Sequence, residues 1–264
     1  MFNTVKSILQ AEGITRVGAI PITECEIINE RILPKEAKSA IIFVIPYRSE
    51  KTPSTDGFSE YARIYDYHKF SAELYERTIS RMQEETNRFF QGFCDHSPIN
   101  EKLAAAKCGL GVIGKNSLFF DYRYGSFVFL GSLLTDIDVR NEIYEIKHCE
   151  NCGLCALACP NNAILDFGID RYKCLSAISQ KKQKAPFEVK LLEKYNIVWG
   201  CDICQNVCPI NQTAEISPIP YFKNTRIPHI DKDFILNLTD DEFIKFAFSY
   251  KGRKIVLNNI EFIT

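Results

Sequence analysis

Residues 149–160 read CENCGLCALACP and residues 201–209 read CDICQNVCP, so seven of the chain's eleven cysteines fall in two short runs. The first has the spacing C-x2-C-x2-C-x3-C-P, which suits two adjacent iron-sulfur cubanes: three thiolates on a tight loop serve one cluster, and the fourth points to the other. The second run, C-x2-C-x3-C-P, lacks one cysteine of that pattern, and Cys174 lies upstream to replace it. The crossed rule assigns Cys149, Cys152, Cys155 and Cys208 to one [4Fe-4S] cluster, and Cys159, Cys174, Cys201 and Cys204 to the other. Pro160 and Pro209 are expected to stop each cluster loop from continuing as regular structure. Structural zinc is the rival, because C-x2-C pairs also form zinc ribbons. Ribbons need two separated pairs, whereas here three cysteines fall within seven residues, a fourth precedes proline, and most of the pattern recurs. Cys25, Cys94 and Cys108 lack such partners and read as small buried hydrophobes.

The rest of the chain bounds the setting of these runs. Its 264 residues suggest two domains at about 150 residues each. A net charge of -1 gives no overall pull toward nucleic acid or anionic lipid. The N-terminal segment places Phe2, Val5, Ile8 and Leu9 on one helical face with Gly13 as a stop, unlike a secretory leader. No segment approaches the ~20 apolar residues that span a bilayer. A cytoplasmic protein with reduced, metal-binding cysteines is the expectation.

Upstream of the cysteines, strand and helix signals alternate. AKSAIIFVIPY at 37–47 and SFVFLGSLLT at 126–135 read as strands, and residues 67–90 carry Phe70, Leu74, Ile79, Met82 and Phe89 near helical spacing. Ser97 and Pro98 are expected to open a second helix that Gly109 closes. The following CGLGVIGKN contains G-x-G-x-x-G, yet it follows a helix and runs into the strand-like SLFFDY, the reverse of a dinucleotide-binding context. Two readings stay open. Either backbone at Gly111 and Gly114 approaches a large ligand, with Lys115 and Asn116 as donors, or this is a plain tight turn.

Four stretches carry a resemblance: YARIYDYHKF (61–70), DHSPINEKLAAAKCGLGVIGKN (95–116), GSFVFLGSLLT (125–135) and WGCDICQNVCPIN (199–211). Together they resemble the epoxyqueuosine reductase family, cobalamin and iron-sulfur enzymes of the last step in making queuosine in tRNA. The resemblance implies an α+β protein: a mixed α/β, nitroreductase-like cobalamin-binding catalytic domain at 1–145, a two-cluster ferredoxin-like domain at 146–212, and a helical extension at 213–264. It implies electrons from an external donor of flavodoxin or ferredoxin type, passing through two [4Fe-4S] clusters to cobalt. Partners are then tRNA or a modified nucleoside, with no membrane, and a monomer is expected.

Carried over position by position, Asp95 matches the family's proton donor, and His68 matches a position near the substrate. Without the resemblance, Asp95 reads as a turn residue and His68 as a packed or surface histidine. Tyr67, Lys102 and Ser126 join the glycine-loop residues as implied cofactor contacts. The chain lacks D-x-H-x-x-G, so no protein histidine is expected below the cobalt. Ile64 and Tyr65 stand where the family usually has glycine and arginine, which is expected to reshape the substrate pocket. After FAFSYKGRKIVLNN the family continues into a helical-repeat domain that helps hold tRNA, so a short form is implied. The alternative functions are an electron-transfer or corrinoid-reducing protein, or a reductase of another substrate.

Overall fold

The computed structural model describes residues 1–263. It opens with α1 (Phe2–Ala11), which buries Val5, Ile8 and Leu9 and is followed by Gly13 at a φ of 85°. A four-stranded antiparallel sheet comes next in space, built from β1 (Val17–Pro21), β2 (Ser39–Pro46), β3 (Phe90–Cys94) and β6 (Val128–Thr135) in the order β1-β2-β6-β3. Between the strands lie α2 (Tyr67–Thr86), α3 (Glu101–Lys107) and a small hairpin of β4 (Gly111–Ile113) with β5 (Phe119–Asp121).

Alternation along β2 explains the layering, because successive side chains of a strand leave by opposite faces. Ala40, Ile42 and Val44 join the alanine run Ala104, Ala105 and Ala106 of α3 in one apolar cluster. On the other face Phe43 meets Tyr75 of α2 edge-on, with ring centroids 6.2 Å apart. Glycines in neighbouring strands admit that tyrosine. A Cβ at Gly92 would stand 2.6 Å from the Tyr75 ring, and one at Gly131 would stand 2.6 Å from the Phe43 ring. The expected strands at 37–47 and 126–135 are therefore β2 and β6.

Two expected boundaries move. The helix from residue 67 stops at Thr86, because Asn87 turns left-handed at a φ of 51° and Phe90 begins a strand. Ser97 does not cap α3. Asn100 does, accepting from the Leu103 amide at 3.4 Å, while Ser97 Oγ accepts from the Ile99 amide in the turn before it.

The described chain divides into two compact units with interleaved sequence. The sheet, its helices and the hairpin make the first: Met1–Pro46, His68–Gly114 and Leu118–Cys149. The second combines Tyr47–Tyr67, Lys115–Ser117 and the chain from Glu150 onward. It is built of short helices: α4 (Leu154–Ala158), α5 (Leu175–Ser179), α6 (Pro186–Lys194), α7 (Ile203–Asn206), α8 (Pro209–Thr213), α9 (Pro220–Thr225), α10 (Lys232–Asn237), α11 (Asp240–Phe243) and α12 (Arg253–Ile263).

Short helices bury little area apiece, so polar anchors matter in this unit. Arg63 is fully buried; it pairs with Asp56 and Ser54 and donates to the carbonyls of Ile227 and Pro228, each at 3.0 Å. Arg226 donates to both oxygens of Glu60 at 3.1 and 3.2 Å. Asn259 of α12 donates to the Ser179 and Val198 carbonyls at 2.7 and 2.8 Å, tying the last helix to the segments around the cysteine loops. Ile64 is buried here, and Tyr65 packs edge-on against Phe246 with centroids 5.1 Å apart. Both residues serve this core.

Candidate functional sites

The first unit contains a cavity of about 310 Å³ lined by Asp95, Glu101, Lys102, Ser126, Phe129 and their neighbours. Three residues expected from the sequence thus converge: Asp95, Lys102 and Ser126. His68, in the first turn of α2, stands beside them, its Nε2 3.6 Å from Asp95 Oδ2, and both side chains are about half exposed. Asp95 occupies the turn between β3 and α3 at a φ of 62°, a left-handed conformation that aspartate tolerates better than most residues. Burial lowers the Lys102 ammonium below its usual range.

Glu101 is the member of this site that sequence reasoning passed over. Its Oε1 accepts a 2.6 Å hydrogen bond from Ser132 Oγ of β6, and the Asp95 backbone also hydrogen-bonds its carboxyl group. Removal from water pushes its carboxyl up to about 8, the charge of Asp95 adds to the rise, and the two hydrogen bonds oppose it. A glutamate in a first helical turn is an ordinary dipole-compensating choice, so nothing local to position 101 signals this burial.

The glycine segment is a hairpin. Gly111 sits in β4, where a Cβ would stand 1.9 Å from the Phe120 carbonyl oxygen across the ladder. The Gly114 amide closes the turn onto Leu118 O at 2.8 Å. Lys115 reaches Asp166 at 3.0 Å and lies over the Phe167 ring, and Asn116 is buried near Cys204, both within the second unit. Tyr67 is the first residue of α2 and, like Gly114, is not part of the cavity wall.

The cysteines of the second unit line its short helices. Cys152 precedes α4, with Gly153 at a φ of 79° making the bend; Cys155 lies within α4, and Cys159 ends it, accepting from the Ala163 amide at 3.2 Å. Cys174 caps α5, Cys204 lies in α7 and Cys208 caps α8. Proline at 209 therefore starts a helix at its first position, where a missing N–H is harmless, and does not stop regular structure as expected. Helices α4 and α7 pack on each other. Cys174, Cys201 and Cys204 lie near enough to feel one another's charge, and Cys155 lies near Cys204. Burial pushes Cys201 and Cys204 up to about 12 as free thiols. Cys149 ends the first unit, its amide held by Ile113 O at 3.0 Å.

A donor set of thiols alone fits iron-sulfur cubanes. Among the described residues no three His, Cys, Asp or Glu side chains converge as a single ion requires, whereas a cubane takes one thiolate at each of four irons and spreads its ligands more widely. Cys25 and Cys108 are neighbours in the first unit with thiols pushed up to about 12 by burial, which leaves them inert.

Comparison with known proteins follows the same division. The family of 4Fe-4S double cluster binding domains matches residues 148–211. Epoxyqueuosine reductase of Cellulophaga algicola is 33% identical over 230 residues, 83% of this chain and 73% of that protein. That of Aliivibrio fischeri is 33% identical over 231 residues, 81% of this chain and 62% of that protein. The chain thus spans less than two thirds of the length of some curated relatives. A crystal structure of epoxyqueuosine reductase with an epoxyqueuosine-modified tRNA-Tyr stem loop shares the fold at a TM-score of 0.83, with 21% identity, 99% of this chain and 80% of that one covered. A reductive dehalogenase whose structure suggests a mechanism for B12-dependent dehalogenation shares it at 0.51, with 15% identity, covering 97% of this chain and 37% of that one. No helix of the described chain is long and apolar enough to cross a membrane.

Proposed function

The chain belongs to the epoxyqueuosine reductase family, and on that premise we propose that it reduces the epoxide of epoxyqueuosine to the alkene of queuosine. The substrate is a modified tRNA or the modified nucleoside, and the electrons come from a low-potential donor protein of flavodoxin or ferredoxin type. The observation that carries this reading is the His68–Asp95 pair beside a cavity in a chain that also bears the double cluster domain. A pure electron carrier has no use for a proton donor there.

The eight cysteines hold two [4Fe-4S] clusters in the crossed arrangement. Cobalamin, when bound, supplies the strongly reducing cobalt centre. The cavity of the first unit fits part of such a group: Phe129 and Leu130 give it apolar wall, and Ser126 and Lys102 give it donors. Asp95 donates a proton to the departing epoxide oxygen, which otherwise leaves as an unstable alkoxide. His68 orients the Asp95 carboxyl group through the Nε2–Oδ2 contact.

Anaerobic protein reconstituted with iron, sulfide and cobalamin, and given a low-potential reductant, tests the reading. It is expected to convert epoxyqueuosine, in tRNA or as nucleoside, to queuosine. No conversion of either, together with efficient reduction of a partner's corrinoid, overturns it in favour of electron transfer.

A further inference from the structure

We propose that Glu101 is the proton reservoir of this site: it keeps a carboxylic proton beside Asp95 and returns one to Asp95 after each transfer to the leaving oxygen. The inference rests on the epoxide-reduction reading above. That reaction consumes two electrons and two protons and releases one water. The electrons come from the low-potential donor protein. Asp95 carries one transferable proton, so it must be recharged once within every turnover.

Glu101 is placed to do this. It lines the same cavity as Asp95, and the Asp95 backbone hydrogen-bonds its carboxyl group. Ser132 Oγ at 2.6 Å and the Asp95 backbone amide both donate to its carboxyl group and hold it against the turn that carries Asp95; these bonds favour the ionised form, and burial outweighs them. Behind Ser132, the hydroxyl of Ser97 follows at 3.3 Å and extends the polar chain into the protein. The half-exposed Asp95 is the member that meets the substrate, while burial lets Glu101 hold its proton up to about pH 8. In the transfer, the Glu101 O–H bond breaks as the Asp95 O–H bond forms, and the Glu101 carboxylate then takes a proton from water.

The titratable groups around Glu101 come from every packed element: Lys102 from α3, Asp95 from the preceding turn, His68 through Asp95 and Tyr75 from α2, and Cys94 from β3. Glu26 approaches through Asn100, which donates to it at 2.9 Å. Tyr75 feels the charge of both Cys94 and Glu101.

A merely structural Glu101 would anchor the strained Asp95 turn and nothing more. Glu101→Gln separates the two roles, because glutamine keeps the acceptor for Ser132 and the Asp95 amide but holds no transferable proton. Infrared difference titration of the reconstituted full chain is expected to show a protonated-carboxyl stretch at neutral pH that disappears near pH 8, persists in Asp95→Asn and is absent from Glu101→Gln. Turnover of epoxyqueuosine is expected to fall in the wild type as pH rises through about 8. In Glu101→Gln it is expected to be about 10²-fold slower at pH 7, with that alkaline limb removed. Absence of the infrared band overturns the proposal, as does a Glu101→Gln variant with wild-type rate and pH profile. A wild type that shows the band but converts no epoxide overturns the reduction reading and this role with it, and is told apart from the preceding case by that missing wild-type activity.

Discussion

His68 Nε2 stands 3.6 Å from Asp95 Oδ2, with one residue at the start of α2 and the other in the turn after β3. The distance is an ion-pair separation longer than a direct hydrogen bond, and both groups are half exposed beside the cavity. Such a pair contributes little to stability, and its value lies in where it holds a proton. Asp95→Asn is expected to lower epoxide turnover by about 10²-fold or more, the scale of a positioned general acid. Asparagine tolerates the left-handed backbone at this position, so the variant is expected to fold, bind cobalamin and carry both clusters like the wild type. Anaerobic steady-state assays beside cobalamin and iron titrations check this, and an active Asp95→Asn enzyme would remove the general-acid role.

The cluster assignment makes a quantitative claim. Intact protein is expected to carry about eight irons and eight sulfides per chain. Cys174→Ala is expected to leave about four, because it removes a ligand of the cluster formed with Cys159, Cys201 and Cys204. Cys174, Cys201 and Cys204 lie within reach of one another's charge, Cys155 also lies near Cys204, and the grouping itself rests on the cysteine spacing. Iron analysis with electron paramagnetic resonance of the reduced variant decides it. Loss of the Cys149 cluster in its place would show that the crossing is wrong.

Burial of Arg63 predicts a large structural effect with no catalytic origin. The guanidinium is fully buried, pairs with Asp56, and holds the Ile227 and Pro228 carbonyls. Arg63→Ala strands a buried carboxylate and two carbonyls, and is expected to destabilise the second unit by about 3–5 kcal/mol. Chemical denaturation followed by Trp199 fluorescence measures it, since the chain's single tryptophan lies in that unit. A loss under about 1 kcal/mol would mean that water replaces the guanidinium readily.

How much of this was legible in the sequence follows from the range of each interaction. The β2 and β6 runs and the cysteine loops announce themselves because continuous apolar residues and fixed thiol spacing are local signals. Strands β1 and β3 did not, being five residues each and lying against turns that obscure their alternation. Ile64 and Tyr65 were expected to reshape a substrate pocket, but their surroundings come from residues such as Phe246, far along the chain. Glu101 looked like a helix-entry residue, because its partner Ser132 lies 31 positions away on β6. For Lys115 and Asn116 the loop spacing leaves ligand donors and a plain turn both open, and only the fold shows Asp166, 51 positions on, beside Lys115.

Packing on both faces of the sheet predicts intolerance at Gly131. A Cβ there would stand 2.6 Å from the ring of the fully buried Phe43 and 3.0 Å from the Tyr75 hydroxyl. Gly131→Ala is expected to cost about 1–3 kcal/mol of stability, the range for overpacking a close-packed core. A combined Gly131→Ala, Tyr75→Phe variant is expected to recover part of that loss, because removing the hydroxyl relieves one of the two close approaches. Additive losses in the double variant would assign the strain to Phe43 alone.

The sign of the Glu101 perturbation fixes how stability changes with pH. Its folded carboxyl is raised from 4.5 to about 8, chiefly by burial, so the folded state holds a proton that the unfolded chain releases. The favourable contribution is fully present below the unfolded value and is lost as pH rises through about 8. Between pH 5 and 9 the wild type is therefore expected to lose stability relative to Glu101→Gln, whose amide does not titrate. Thermal unfolding of apoprotein, run without cobalamin or substrate, follows this effect apart from any catalytic role. The wild-type midpoint is expected to decline toward pH 9 and the variant's curve to be flatter, with the two closest together near pH 5. Parallel curves across that range would mean that water reaches the Glu101 carboxyl group and that its titration is ordinary.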